Sequence, residues 1–399
     1  MKLKALISAL AALALLLTTM TVGPAFARPS YPSWSDVQAA KNKVAAKKEM
    51  IQKLQSYISG LEDEVAALGK VALVKGEAFN QAQTAVEQVK AKVTALESQV
   101  NQAADEAQQA KDELGQIAAQ MYRDGAAGTT VNFLLNAGEA DNLLYQLGVQ
   151  DKLAQQSDTL YSRAVSKQLL AQSLQDQLTE AKNDLAAKAK IAQAAFDDAQ
   201  AAADAVQAKL DENKALNSTF YAQLASLQNT TAELERQRAI GLAWERRQNQ
   251  GSSNGVPDAP SLYDVGPPSS TKVEGAVAFA KRQLGESYVL GGMGASVWDC
   301  SGITKASYAS VGIYIGTHSA TNQFMTLANN RRLVPIKDAV KGDIMWYSSY
   351  SGFTAEKYHV VIYLGGKMML EAPRPGAVVR IVPLRYGELF PYAGRPSGN

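Results

Sequence analysis

Proline is absent from Ser33 through Val256, although the chain of 399 residues contains 13 prolines. Proline removes a backbone N–H and its ring clashes with the preceding turn, so a blank of this length predicts helix. Stepping by seven from Val37 gives Val44, Ile51, Ile58, Val65, Ala72, Phe79, Val86, Val93, Val100, Ala107, Leu114 and Met121, every one apolar. The companion row from Ala40 gives Leu54, Leu61, Leu68, Val89, Leu96, Ala103, Ala110 and Ile117, interrupted by Lys47 and Lys75. A repeat of 3.5 residues predicts a left-handed coiled coil, because a straight helix would carry its apolar stripe away from a partner. Ser35 with Gln38 three residues on reads as a capping box at the start.

The pattern stops at Asp124-Gly125-Ala126-Ala127-Gly128, where two glycines favour a turn. It resumes from Gly138 to about Gln248, with Leu178, Leu185, Val206, Phe220, Leu227 and Leu234 on one row. Two such stretches fold back most simply as an antiparallel hairpin, with a parallel homodimer as the competing arrangement. The helical domain is thus placed at 34–248. Its tip, at 123–147, gathers Phe133, Leu134, Leu143, Leu144 and Leu147, either as a cap that closes the hairpin or as a docking surface.

The ends differ in character. Lys2 and Lys4 precede an apolar run from Ala5 to Leu17, and Ala25-Phe26-Ala27 follows Pro24, which reads as a signal peptide over 1–27 and an exported chain. An uncleaved membrane anchor is the competing reading, for which the run is short. Residues 249–271, rich in Gly, Ser and Pro, read as a linker. The remaining 272–399 contain the single cysteine and both histidines.

A net charge of +2 lacks the basic surplus of a nucleic-acid-binding chain, so no nucleic acid is expected. One cysteine and two histidines supply neither an internal disulfide nor a Cys/His zinc set, and neither metal nor cofactor is expected. Cys300 stands near the start of an apolar-periodic segment through Ile303, Ala306 and Tyr308. At a helix N-terminus the dipole and free N–H groups favour a thiolate, the nucleophilic form, and could hold an oxyanion. His359 opens a strand through Leu364, and Lys367–Ala372 reads as its hairpin partner. A two-residue loop Gly365-Gly366 would turn Glu371 away from His359. A three-residue loop Gly365-Gly366-Lys367 would set it opposite Val361, on the face of His359.

The segments Gly285-Glu286-Ser287-Tyr288-Val289-Leu290-Gly291-Gly292, Trp298-Asp299-Cys300-Ser301-Gly302, Lys341-Gly342-Asp343-Ile344, His359–Gly365 and Glu371-Ala372-Pro373 resemble the NlpC-type cell-wall cysteine peptidases. That resemblance implies an α+β papain-like domain behind a long coiled-coil hairpin. It implies Cys300 as nucleophile, His359 as base, Glu371 as the residue that orients the imidazole, Tyr288 as a substrate-positioning residue, and Asp299 and Ser301 flanking the cleft. His318 falls at a position of the family that is basic or histidine, and is expected on the cleft wall or at the surface. Leu290 stands where tryptophan is usual, Gly316-Thr317 replaces Leu-Pro, and Glu371 replaces a commoner histidine; a glutamate should leave the imidazole more basic than a neutral partner would. The implied substrate is peptidoglycan, cleaved in its peptide stem between D-isoglutamate and the diamino acid. An exported rod ahead of such a domain also resembles wall hydrolases switched on by the membrane complex FtsE–FtsX, which makes an FtsX-like protein the expected partner of the tip. A catalytically silent wall-binding scaffold is the competing class.

Overall fold

The computed structural model describes residues 32–123, 140–253 and 257–398. The leader at 1–27 and the tip residues Phe133 and Leu134 lie outside the described residues, as do the side chains of Leu143, Leu144 and Leu147. The chain divides into two compact units, one comprising residues up to Gly60 with Leu216–Gln237, the other Leu61–Ala215 with Arg238–Asn399. No described helix is long and apolar enough to cross a membrane.

In the first unit, α1 (Trp34–Lys41) precedes the start of α2 (Val44–Arg123). The capping box is formed by Ser33 and Asp36, not by Ser35 and Gln38: Ser33 Oγ accepts from the Asp36 N–H and Asp36 Oδ2 accepts from the Ser33 N–H. Asp is short enough to reach back within one turn. The repeat is also broken here, and Val44 is 89% exposed at the first turn of α2. Tyr57 of α2 stacks on Phe220 near the end of α3 (Ala140–Gln228). Asn229 ends α3 with φ 54°, a left-handed residue that asparagine tolerates, and α4 (Ala232–Ser253) follows. Leu234, placed above on the same seven-residue row as Leu227, lies beyond this break and is 55% exposed. α4 also reaches four residues beyond Asn249, into the stretch read as linker.

In the second unit α2 and α3 are antiparallel within one chain. Glu64, Lys75, Glu97, Glu106 and Glu113 of α2 pair in turn with Lys209, Asp198, Lys182, Lys167 and Arg163 of α3, ascending on one helix and descending on the other. These exposed pairs add little stability. The seam is held by Val93 and Leu96 against Leu178 and Ala181, and Val65, Ala72 and Ala103 of the repeat are buried as expected.

The C-terminal part is α+β. The helices α5 (Ser270–Arg282), α6 (Cys300–Ala309) and α7 (Ala320–Asn329) accompany an antiparallel six-stranded sheet. Its strands are β4 (Leu333–Pro335), β5 (Ile344–Tyr347), β6 (His359–Gly365), β7 (Met368–Glu371), β8 (Arg380–Pro383) and β9 (Leu389–Gly394), in the order β4-β9-β5-β6-β7-β8. A small three-stranded sheet of β1 (Ser287–Tyr288), β2 (Met293–Gly294) and β3 (Val297–Trp298) leads into α6. Phe324 of α7 is fully buried, edge-on to Trp346, Phe353 and Phe390. Replacing it by alanine removes one ring from three such pairs and leaves a cavity, so Phe324→Ala should destabilise the C-terminal part by about 3–5 kcal/mol in denaturant unfolding followed by near-UV dichroism. A loss below about 1 kcal/mol would mean that the helix does not seal the sheet through this residue.

Candidate active site

Cys300 is the first residue of α6, as its position in the sequence suggested, and Asp299 is the N-cap. Asp299 Oδ1 accepts from the Gly302 N–H at 2.7 Å, from Ser301 Oγ at 3.1 Å and from His318 Nε2 at 2.8 Å. Glycine is required at 302, since a Cβ there would lie 2.1 Å from the Gly292 carbonyl oxygen, where the loop before β2 crosses the helix. Burial opposes ionisation of Asp299, but His318, the Gly302 N–H and Asn80 hold its carboxyl below the ordinary range. His318 is raised in turn: burial works against the charged ring and the Asp299 carboxylate overcomes it. His318 is therefore tied to the cap of the cysteine helix.

His359, fully buried at the start of β6, lies directly across from Tyr347 on β5. The hairpin to β7 reaches the register that faces His359 with Glu371, but by neither loop considered above. Gly366 and Lys367, with φ of 59° and 61°, form a two-residue turn of the primed type, and a bulge between Tyr363 and Gly365 then shifts the pairing to Ile362 opposite Leu370. Glu371 Oε2 lies 2.9 Å from His359 Nε2. Two arginines that the sequence did not single out complete the carboxylate's surroundings. Arg380 donates to Oε1 through Nε and an η nitrogen at 3.0 and 2.9 Å, and Arg385 donates to Oε1 and Oε2 at 2.9 and 2.8 Å. Arg380 pairs directly with Glu371 across β7 and β8, a relation hidden until the register is known. Burial alone would raise the Glu371 carboxyl, yet Arg385 and His359 hold it well below the usual range. An ionised carboxylate only accepts, so His359 carries its proton on Nε2 and has a lone pair on Nδ1. That Nδ1 is buried with no hydrogen-bond partner among the described residues.

Cys300 and Val360, the neighbour of His359, share one buried cluster. The helix start does not make Cys300 a thiolate here. Burial pushes the thiol well up, the nearby Asp299 and Glu77 carboxylates add to that, and the hydrogen bonds from Val360 and Ser301 do not offset them. Nor is His359 made basic by Glu371: burial lowers it, with Arg385 and Arg380 adding to the effect. Both shifts run toward the uncharged forms of the pair.

A feature the sequence reading missed is a second buried stripe on α2, formed by Gly69, Leu73, Gly76, Glu77, Asn80 and Thr84. Their spacing places them on one helix face. Asn80 Nδ2 donates to Asp299 Oδ2 at 3.0 Å and to Ser301 Oγ at 3.3 Å, and Thr84 Oγ1 donates to Thr317 Oγ1 at 3.1 Å. Leu290 and the Tyr288 hydroxyl lie over Gly76, and Arg374 lies over Gly69. Glu77 accepts from Ser319 Oγ at 2.6 Å, from the Ala320 and Thr321 N–H groups at 2.8 and 3.0 Å, and from Gln81 Nε2 at 3.0 Å. The signal in the sequence was the pair Gly69 and Gly76, each about 1 kcal/mol less favourable than alanine inside a helix and therefore a mark of close approach. Tyr288, Asp299, Cys300, Ser301 and His318 thus come together with this stripe.

The raised thiol has a measurable consequence. Alkylation of Cys300 by iodoacetamide should be slower at pH 7 than that of free cysteine and should keep rising with pH beyond the ordinary thiol range, since the thiolate alone reacts. A plateau reached below pH 7 would contradict the raised thiol.

The NlpC/P60 family profile matches residues 285–388. Peptidoglycan endopeptidase RipA of Mycobacterium tuberculosis is 36% identical over 104 residues, which are 26% of this chain and 20% of that protein. Gamma-D-glutamyl-L-lysine dipeptidyl-peptidase of Bacillus cereus is 27% identical over 189 residues, 46% of this chain and 51% of that protein. The chain spans about a fifth of RipA and half of the Bacillus cereus protein. Peptidoglycan endopeptidase RipB of Mycobacterium tuberculosis is 31% identical over 192 residues, 43% of this chain and 72% of that protein. With that share of RipB matched, the chain belongs to the NlpC/P60 family.

Proposed function

We propose that the protein is an exported cysteine endopeptidase that hydrolyses the peptide stems of peptidoglycan, at the bond from D-isoglutamate to the diamino acid, in wall remodelling or daughter-cell separation. The observation that carries this reading is the buried Nδ1 of His359, which has no partner among the described residues while Nε2 is held by Glu371, on a strand whose next residue, Val360, shares a buried cluster with Cys300 at a helix start. The names of RipA, RipB and the Bacillus cereus dipeptidyl-peptidase support the substrate class and the bond. Export rests on the leader at 1–27, and an FtsX-like partner would meet the tip around Phe133, Leu134, Leu143, Leu144 and Leu147.

In this mechanism the Cys300 sulfur attacks the scissile carbonyl carbon as its proton passes to His359 Nδ1. The carbonyl oxygen becomes an oxyanion facing the backbone N–H at the start of α6. As the C–N bond breaks, His359 returns the proton to the leaving amine, leaving a thioester on Cys300. Water, deprotonated by His359 Nδ1, then attacks the thioester and releases the acid, and the proton goes back to the thiolate. Glu371 holds the ring in the tautomer that presents Nδ1 and stabilises the imidazolium formed in each half-reaction. Arg380 and Arg385 keep that carboxylate ionised and fixed.

Digestion of purified cell walls by wild type and by Cys300→Ala is the deciding experiment. Release of stem-peptide fragments should fall to background in Cys300→Ala with the fold intact by dichroism. Equal release by both would overturn the thiol mechanism, and no release by either would leave the scaffold reading. Glu371→Gln should slow cleavage less than His359→Ala, because an amide can still orient the ring though it cannot stabilise the imidazolium. The reverse order would remove Glu371 from the catalytic set.

A further inference from the structure

Residues 348–358 join β5 to β6 and end at His359. The first part, Ser348-Ser349-Tyr350-Ser351-Gly352, is polar, with Tyr350 72% exposed, and supplies no apolar anchor. The anchor is Lys357. It is fully buried, and its Nζ donates to the carbonyl oxygens of Phe353 at 3.2 Å and Ala355 at 2.5 Å. The ammonium also lies 3.9 Å from the ring centroid of Phe390 and 4.4 Å from that of Phe324. The negative faces of both rings attract it. Burial lowers Lys357 to about 8, so it still carries its proton at neutral pH. Among the described residues its side chain bonds only those two carbonyls, and no carboxylate balances the charge.

A buried ammonium without a counter-charge is expensive. Methionine, of similar length, would fill the same aromatic pocket at lower cost, so packing alone does not account for a lysine here. What the ammonium adds is one point on which residues 353, 355 and 357 converge. That point is tied to both halves of the site. Phe324 and Phe390 belong to the buried cluster that contains Cys300 and Val360. Around Lys357 the backbone is held as well: its N–H donates to Thr321 Oγ1 at 3.0 Å, and the Tyr358 N–H donates to the Tyr347 carbonyl at 3.0 Å. The Ser348 hydroxyl donates to the Glu356 carbonyl at 2.6 Å, which closes the connection on itself.

Resting on the endopeptidase reading, we propose that Lys357 is a positioning residue for that reaction: its ammonium, seated on Phe324 and Phe390, gathers the chain from Phe353 to Lys357 and so fixes the start of β6, where His359 serves Cys300. Being fully buried, Lys357 touches no substrate and acts through His359. A misplacement of about 1 Å costs on the order of a hundredfold in rate, so a slight loosening of this connection is read in kcat.

The test uses the full chain with Lys357→Met, which keeps the length and loses the charge, and with Lys357→Arg, which keeps a cation that donates to carbonyls and stacks on rings. Folding is followed by near-UV dichroism and denaturant unfolding, and cleavage with L-Ala-γ-D-Glu-L-Lys-D-Ala. The rings of His359 and His318, the chain's two histidines, are observed by nitrogen NMR of protein with isotope-labelled histidine, His359→Ala assigning the signals. Lys357→Met should unfold at the wild-type denaturant midpoint or above it, keep KM within about twofold and lose at least about tenfold in kcat. Its His359 Nε2–H signal should shift or broaden while that of His318 stays in place. Lys357→Arg should keep more of kcat than Lys357→Met, although the larger guanidinium packs less well.

Unshifted His359 signals in Lys357→Met would overturn the proposal, and so would a wild-type kcat. Equal losses in the two variants would assign the effect to shape and overturn the role of the charge. Failure of Lys357→Met to fold would overturn it too, by making the lysine a determinant of folding and not of placement. The histidine signals decide the proposal even where wild type cleaves no peptide, a result that would count against the endopeptidase reading alone.

Discussion

The Asp299 carboxylate is the point on which the site depends. One of its oxygens caps the cysteine helix through the Gly302 N–H and also holds His318, while the other takes the Asn80 amide from the helical region. A buried carboxylate left without such donors would be expensive, so each of these partners is fixed by the others. The cap sets where Cys300 stands relative to β6. Glycine at 302 and the carbonyl of Gly292 set how closely the loop can approach. Local capping chemistry and the tertiary position of the reactive sulfur are thus one interaction.

Pairing outweighs burial at Asp299 and Glu371, whereas burial prevails at His359 and Cys300. Five hydrogen bonds from His359, Arg380 and Arg385 suffice to keep Glu371 ionised in the interior. They do not suffice to make His359 basic, because the ring is as buried as its partner and two guanidinium groups lie nearby. The thiol is raised by the same burial, aggravated by Asp299 and Glu77. One of these influences, Glu77, comes from α2, and burial raises its own carboxyl as well.

α2 departs from a plain repeat. The row with Val93 and Leu96 packs on Leu178 and Ala181 of α3, while Gly69, Gly76, Glu77 and Asn80 form a second buried face of different composition.

By itself the sequence determined the long helices, through the proline blank and the seven-residue repeat, because periodicity is a local property that survives without knowledge of partners. It also determined the candidate nucleophile and base, since a single cysteine and two histidines leave few choices, and the segment around Asp299-Cys300-Ser301-Gly302 carries its own helix-start chemistry. Only the tertiary structure decided the rest. The register that brings Glu371 to His359 came from a bulge and a two-residue turn that spacing alone left open. Arg380 and Arg385 joined the site through strand pairing and a distant loop, and Glu77 and Asn80 reached it from more than two hundred residues earlier. The shifts at Cys300 and His359 run opposite to the local expectation, because a helix dipole and a neighbouring carboxylate act locally whereas desolvation is set by everything packed around them.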